Sequence, residues 1–240
     1  MSAFPPDVAP GVGRFVDLEV LLRNRFRFFA EIRDGVGILS KIRTMFVYSA
    51  IFLAVFGAVI GSEHSVRQVL ASSVKLPLLF LITALICLPT LYFFNTIFQA
   101  PLSLSQTLAL LLSAITVTAV VLLAFAPVTL FFLVTTSQYQ FYKLLNVAIF
   151  AISGWIGVRQ LGQGMLMLTA QERRSARVRG RMLQVWILLY AFVGTQMAWT
   201  LRPFFGAPGL PFELFRGLGG NFYTNILASL GELFGFLTVG

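Results

Sequence analysis

The chain has 240 residues, of which 58% are hydrophobic and 11% charged, with a net charge of +9. Soluble domains average about 25% charged residues. With 25 phenylalanines and a mean hydropathy of +0.85, the chain has more apolar surface than a soluble domain of this length can hide. These figures exclude a soluble enzyme, a disordered chain and a disulfide scaffold. They point to an all-α fold, a polytopic transmembrane helical bundle.

Residues 1–43 read as an N-terminal tail and an amphipathic helix. The first thirteen (MSAFPPDVAPGVG) hold three prolines and two glycines, the composition of a flexible tail. Phe15, Leu18, Leu22, Phe26 and Phe29 then recur at three- and four-residue steps, which is helical spacing. Arg14, Asp17, Arg23, Arg27 and Glu31 fill the other faces. Two readings stay open. The helix lies on the membrane surface with its arginines at the headgroups, or it packs on the cytoplasmic face of the protein itself.

Residues 44–201 form the transmembrane bundle, with five predicted spans. The first, Thr44–Gly61, has 18 residues and no charge, about 27 Å of helix. The second covers about 76–98. The third begins at Leu104 and covers 104–126, and its apolar stretch continues through Pro127 to Val134. That stretch is too short for two spans and a turn, so it reads as one helix with a kinked end. Ser103 and Gln106 have the spacing of a capping box at its start. The fourth and fifth spans cover about 141–161 and 182–201.

Residues 202–240 form a proline-rich cap and an interfacial segment. Pro203, Pro208 and Pro211 forbid a continuous helix through 201–216. In 221–240, Ile226, Leu227, Leu230, Leu233, Phe234 and Leu237 share an apolar face. Glu232 falls near the middle, and burying it in lipid costs about 2.5–3.5 kcal/mol. An interfacial helix is therefore expected rather than a sixth span.

The basic residues give an orientation. With five spans and the N-terminus inside, 13 of the 18 Lys and Arg fall on the cytoplasmic side and five on the other. The positive-inside rule then puts the N-terminus in the cytoplasm and the C-terminus outside or in a lumen. The charge needs no nucleic-acid partner. The only cysteine, Cys87, cannot form an internal disulfide, and no apolar leader with a small-residue cleavage site opens the chain.

Several motifs stand out. Gly57 and Gly61 form GxxxG in the first span, and Ser153–Gly157 and Gly194–Ala198 repeat the spacing. Such pairs let helices approach closely, and packing within the monomer is the expected use. Pro89 falls mid-span, two turns before Asn95. Together with Gln196 they mark a kinked or polar place in the membrane, which either lines a transport path or serves helix packing. Ionisable side chains are absent from the span cores, which argues against an ion-coupled pump. Glu63 and the only histidine, His64, read as a solvated loop pair, and no hydrolase, metalloprotease or phosphate-binding motif occurs. No enzymatic activity, cofactor or metal is expected. Arg173, Arg174, Arg177, Arg179 and Arg181 form the densest basic run, suited to anionic lipid headgroups or an acidic partner. Trp199, Arg202, Pro203, Glu213 and Arg216 belong to the outer cap. There an Arg–Glu pair is structural, or the segment is a docking surface or gate.

Residues 29–42 (FAEIRDGVGILSKI) resemble the WH2 actin-monomer-binding motif, a short amphipathic helix followed by Leu-Lys-Lys-Val, which stands here as Leu39-Ser40-Lys41-Ile42. The segments KLPLLFL from Lys75, ICLPTLYFFN from Ile86, LRPFFG from Leu201 and GNFY from Gly220 make the whole chain similar to an uncharacterised group of small bacterial, notably cyanobacterial, membrane proteins. Some of that group carry a WH2 actin-binding name, and the resemblance implies no activity. The topology is also similar to that of the Yip1 family of membrane-trafficking proteins, with no shared motif. The expected function is a scaffold, assembly or membrane-organising protein. Its partners would be anionic lipid headgroups and a membrane-protein partner or a second copy. The alternatives are a small channel or passive transporter, and actin binding through residues 29–42.

Overall fold

A computed structural model describes residues 12–63, 65–97, 102–136, 138–169, 176–204, 213–215 and 222–233. They form α1 (Val12–Arg23), α2 (Arg25–Arg33), α3 (Ile38–Gly61), α4 (Val66–Ile97), α5 (Leu104–Thr135), α6 (Tyr139–Leu168), α7 (Ala176–Thr200) and α8 (Phe222–Leu233). Five of these are long and apolar enough to cross a membrane: α3, α4, α5, α6 and Gly180–Thr200 of α7. The chain is an all-helical, multi-pass membrane protein.

The helices overrun the predicted spans. α3 starts at Ile38 rather than 44, α4 at Val66 rather than 76, and α6 ends at Leu168 rather than 161. Of the polar residues at these ends, Lys41, Gln68, Ser72 and Lys75 are buried by neighbouring segments. α5 is one helix that runs through Pro127 to Thr135. Its capping box forms: the Gln106 N–H donates to Ser103 Oγ at 3.2 Å, and the Ser103 N–H donates to Gln106 Oε1 at 2.8 Å.

α5 is the centre of the bundle. Of its most apolar window 67% is buried, against 6% for α7. α3 and α6 pack on α5, and α4 packs on α3. α7 lies on the outside of α4, where Trp186 is buried and its Nε1 donates to the Cys87 carbonyl at 3.1 Å.

α1 and α2 fold back against one end of the bundle. Phe28, Phe29 and Ile32 are fully buried, so the arm packs on the protein itself. The buried face differs from the predicted one. Leu18 and Phe29 turn inward, but Leu22 and Phe26 are exposed. Asn24 separates α1 from α2 and caps α2 through Oδ1, which accepts from the Arg27 N–H at 3.2 Å. The shift of register at that break brings Phe28 and Ile32 to the bundle. α2 then turns into α3 through Gly35 (φ 80°) and Gly37 (φ 62°), a left-handed path that side chains resist.

The described part of α8 has 12 residues, about 18 Å of helix. It packs on α6 and α7 at the end opposite the arm. Lys143 Nζ donates to Asn225 Oδ1 at 3.0 Å, and the Thr195 and Tyr223 hydroxyls meet at 3.0 Å.

Candidate functional site at the capped end of the bundle

The end opposite the arm is built on the first two spans. A Cβ on Gly57 would stand 2.4 Å from the Ser72 carbonyl oxygen, and one on Gly61 would stand 2.7 Å from that of Gln68. Only glycine lets α3 approach the α4 backbone so closely. The two glycines therefore seat the helix turn that carries Gln68, Ser72 and Lys75. These three residues recur at four- and three-residue steps and are all buried.

This polar row holds the irregular segment after α7. Gln68 Nε2 donates to the Pro203 carbonyl at 2.9 Å and to Ser72 Oγ at 3.1 Å. Ser72 Oγ passes the chain on, donating to the Phe204 carbonyl at 2.7 Å. Lys75 Nζ donates to the Pro203 carbonyl at 3.3 Å and to the Leu214 carbonyl. It also sits 4.8 Å from the centroid of the Phe215 ring, a cation–π distance. The Arg202–Pro203 peptide is cis. The Arg202 guanidinium stacks 3.3 Å from the centroid of the Trp199 ring. The cap is thus gripped through its backbone carbonyls. Among the described residues, no carboxylate lies within ion-pair distance of Lys75.

The predicted cap residues divide accordingly. Pro203 is buried at the centre of this network, Trp199 and Arg202 form the stack, and Glu213 is exposed. Arg216 lies outside the described residues. The predicted second span begins just after Lys75 and leaves Gln68 and Ser72 outside it. Their i, i+4, i+7 spacing was the available signal.

Glu63 sits in the short turn between α3 and α4. Its Oε2 is buried without a hydrogen-bond partner, and burial pushes the carboxyl up to about 7. It is not the solvated residue the sequence suggested. His64 lies outside the described residues.

Of the other small-residue pairs, Gly157 and Ser153 line the α6 face that meets α5. A Cβ on Gly157 would stand 2.0 Å from Thr118 Oγ1, and Ser153 is fully buried. Gly194 makes only an ordinary contact, 3.7 Å from Thr83 Cγ2, and Ala198 packs beside the core. A close approach the sequence reading missed is at Gly164, where a Cβ would stand 2.5 Å from Leu110 and 2.6 Å from the Phe29 ring. It seats the arm.

Asn95 is 1% exposed, and both its amide atoms lack a hydrogen-bond partner. It faces a cavity of about 10 Å³, room for a single water, between α4, α6 and α7. Leu91, Phe94, Met165, Met182, Leu183 and Trp186 line the rest. α4 remains one helix through Pro89. Gln196 is half-buried on α7 and takes no part in this cavity.

At the arm end, Lys41 Nζ lies 3.0 Å from Glu31 Oε2 and 3.8 Å from Asp17 Oδ1. It also donates to the Val36 carbonyl at 3.2 Å. The Gln106 amide Nε2 donates to the Ile32 and Arg33 carbonyls at 3.1 and 3.0 Å, closing the last turn of α2. In the actin-motif-like stretch 29–42, Phe29, Ile32 and Lys41 are therefore spent on the bundle. Leu39 is exposed. Of the arginine run, Arg181 is exposed at the start of the fifth span. Arg173 and Arg174 lie outside the described residues, as do the side chains of Arg177 and Arg179.

No protein-family model, curated protein or solved structure matches the chain.

Proposed function

We propose that this chain is a non-enzymatic integral membrane protein of scaffold, assembly or membrane-organising type. The reading rests on where its polar contacts fall. They gather at two ends, one closed by the arm and one by the cap, while α5 fills the interior. The N-terminal arm and the arginine run 173–181 face the cytoplasm and meet anionic headgroups. The C-terminal cap faces outside or a lumen and meets a membrane-protein partner or a second copy. The cap observation carries most weight. A row of three buried polar side chains serves to hold an irregular segment in place, leaving Leu214 and Phe215 exposed on it.

The channel or passive-transport reading depends on the Pro89/Asn95 region. The space there is about 10 Å³, which favours a packing role for Asn95. Two measurements separate the readings. A photo-crosslinker at Leu214 in native membranes gives one discrete adduct, which is lost in Lys75→Met. The purified chain in liposomes passes no small solute. Solute flux by the chain alone, with no adduct, would overturn the proposal. Cysteines placed at Ser175 and Glu213 in a Cys87→Ala background test the orientation. They should be labelled from opposite sides of the membrane, with Ser175 in the cytoplasm.

A further inference from the structure

Three of the four arginines whose side chains are described on α1 and α2 have carboxylate partners. Arg23 pairs with Glu19, Arg27 with Glu31 and Arg33 with Asp34. Arg25 does not. Its Nη1 donates to the neutral Oε1 of Gln163 on α6. Arg159 stands one helical turn before Gln163, on the same side of α6. Both arginines are exposed, and no carboxylate among the described residues lies within ion-pair distance of either. Two positive charges therefore lie near one amide, and neither is paired with a carboxylate among the described residues.

The surroundings are apolar. Trp155, one further turn along α6 toward the middle of the span, is 65% exposed. Phe26 and Leu22, beside Arg25 on the arm, are also exposed. An arginine whose stem reaches back to the headgroups, with an exposed ring one turn deeper, presents cation to phosphate and apolar surface to acyl chain. The Gln163 Oε1 is taken by Arg25, so its Nε2 is left to donate to a third group.

We propose that Arg25, Arg159 and Gln163 bind the phosphate of an anionic phospholipid, with Trp155 against its acyl chain. Two guanidinium groups and an amide offer a phosphate the donors it needs. Trp155, Phe26 and Leu22 offer the apolar contact that a soluble phosphate has no use for. The site is separate from the arginine run 173–181, and it rests on the reading above that the N-terminal arm meets anionic headgroups.

The test uses the purified full chain in phosphatidylcholine nanodiscs doped with brominated phosphatidylglycerol or brominated phosphatidylcholine. Tryptophan quenching is read, and the Trp155 part is obtained by difference from Trp155→Phe. The brominated anionic lipid should quench Trp155 more than the brominated zwitterionic one. Arg25→Gln and Arg159→Gln should each weaken that preference about fivefold, and Gln163→Glu should remove it. Arg67→Gln, an exposed arginine on α4, should leave it intact, which separates the site from a general effect of charge. Each variant is first matched to the parent in helical circular dichroism and elution volume. Equal quenching by the two lipids in the parent chain overturns the proposal, as does a preference that survives the Arg25/Arg159 double variant. Loss of the preference on adding millimolar inorganic phosphate overturns the assignment to lipid.

Discussion

The two ends of the bundle bury the same side chain in two different ways. At the arm end Lys41 is neutralised by Glu31 and Asp17, so charge ties α1, α2 and α3 together. At the cap end Lys75 meets two carbonyls and an aromatic ring, so dipoles and a quadrupole hold an irregular segment. An ion pair fixes helices whose register is already set. Carbonyl acceptors fix a segment that has no regular hydrogen bonding of its own. The first solution depends on carboxylates that titrate. The second has no titrating acceptor.

The largest effect is expected from Lys41→Met. It removes the cation shared by Asp17 and Glu31, leaving Glu31 only Arg27 and Asp17 with no cation, at a cost of about 3 kcal/mol. The thermal midpoint in detergent should drop, and trypsin should cut the released arm at Arg23 and Arg25. If Lys41→Met melts like the parent, the contrast between the ends fails. Gly57→Ala comes next. Its methyl group meets α4 backbone rather than a movable side chain, so about 2 kcal/mol of overpacking is expected. Gly194→Ala, with open contact distances, should be neutral or slightly stabilising. Lys75→Met should cost about 1–2 kcal/mol for the unpaired carbonyls. Its specific sign is that a cysteine at Phe215 becomes accessible while the arm stays protected.

Acidity separates the ends further. Burial lifts Asp17 above its ordinary value, against the pull of Lys41. Burial also works to raise Glu31, but hydrogen bonds from Arg27 and Lys41 outweigh it, so that carboxyl sits low. These two contributions oppose each other below about pH 5, because Glu31 loses stabilisation as pH falls and Asp17 gains it. Glu63, near the capped end, acts alone. Unfolded it gives up its proton near 4.5, and folded it keeps it until about 7. The folded chain binds more protons across that window, so stability falls as pH rises from 4.5 to 7. Glu63→Gln should flatten the melting profile in that range. An unchanged slope would show that Glu63 is not the titrating group.

The spans were legible because long apolar runs admit few alternatives in a chain this poor in charge. Gly57, Gly61 and Gly157 were legible too, since small residues one turn apart permit a close approach. Which partner each glycine approaches was not. Gly57 needs Ser72 opposite it, and that pairing depends on tertiary register. The polar row Gln68, Ser72 and Lys75 went unread because polar residues beside a span usually mean a loop. Only the cap, more than a hundred residues later, turns them into a buried face. The arm was half legible. Its helical period showed, but the break at Asn24 changes which face is inward, so Phe28 and Ile32 replaced Leu22 and Phe26. The same burial bears on the actin-motif resemblance. With Phe29, Ile32 and Lys41 engaged in the bundle, the full chain in nanodiscs should not co-sediment with filamentous actin or slow its assembly from monomers.

The smallest effect expected sharpens the comparison from the other side. The Arg23–Glu19 pair is 2.7 Å long, shorter than the 3.0 Å between Lys41 and Glu31. By distance alone it would be the stronger contact. Its side chains are 79% and 57% exposed, so water already solvates both charges in the broken state. Little is gained by pairing, and two long side chains lose freedom to do it. Arg23→Ala should therefore change stability by no more than about 0.5 kcal/mol, and that change should vanish in high salt. Lys41→Met should keep most of its effect in the same salt, because the ions cannot reach the buried pair. A double-mutant cycle on each pair reads the two coupling energies directly. Equal couplings would mean that burial is not what distinguishes the Lys41 cluster from an ordinary surface pair.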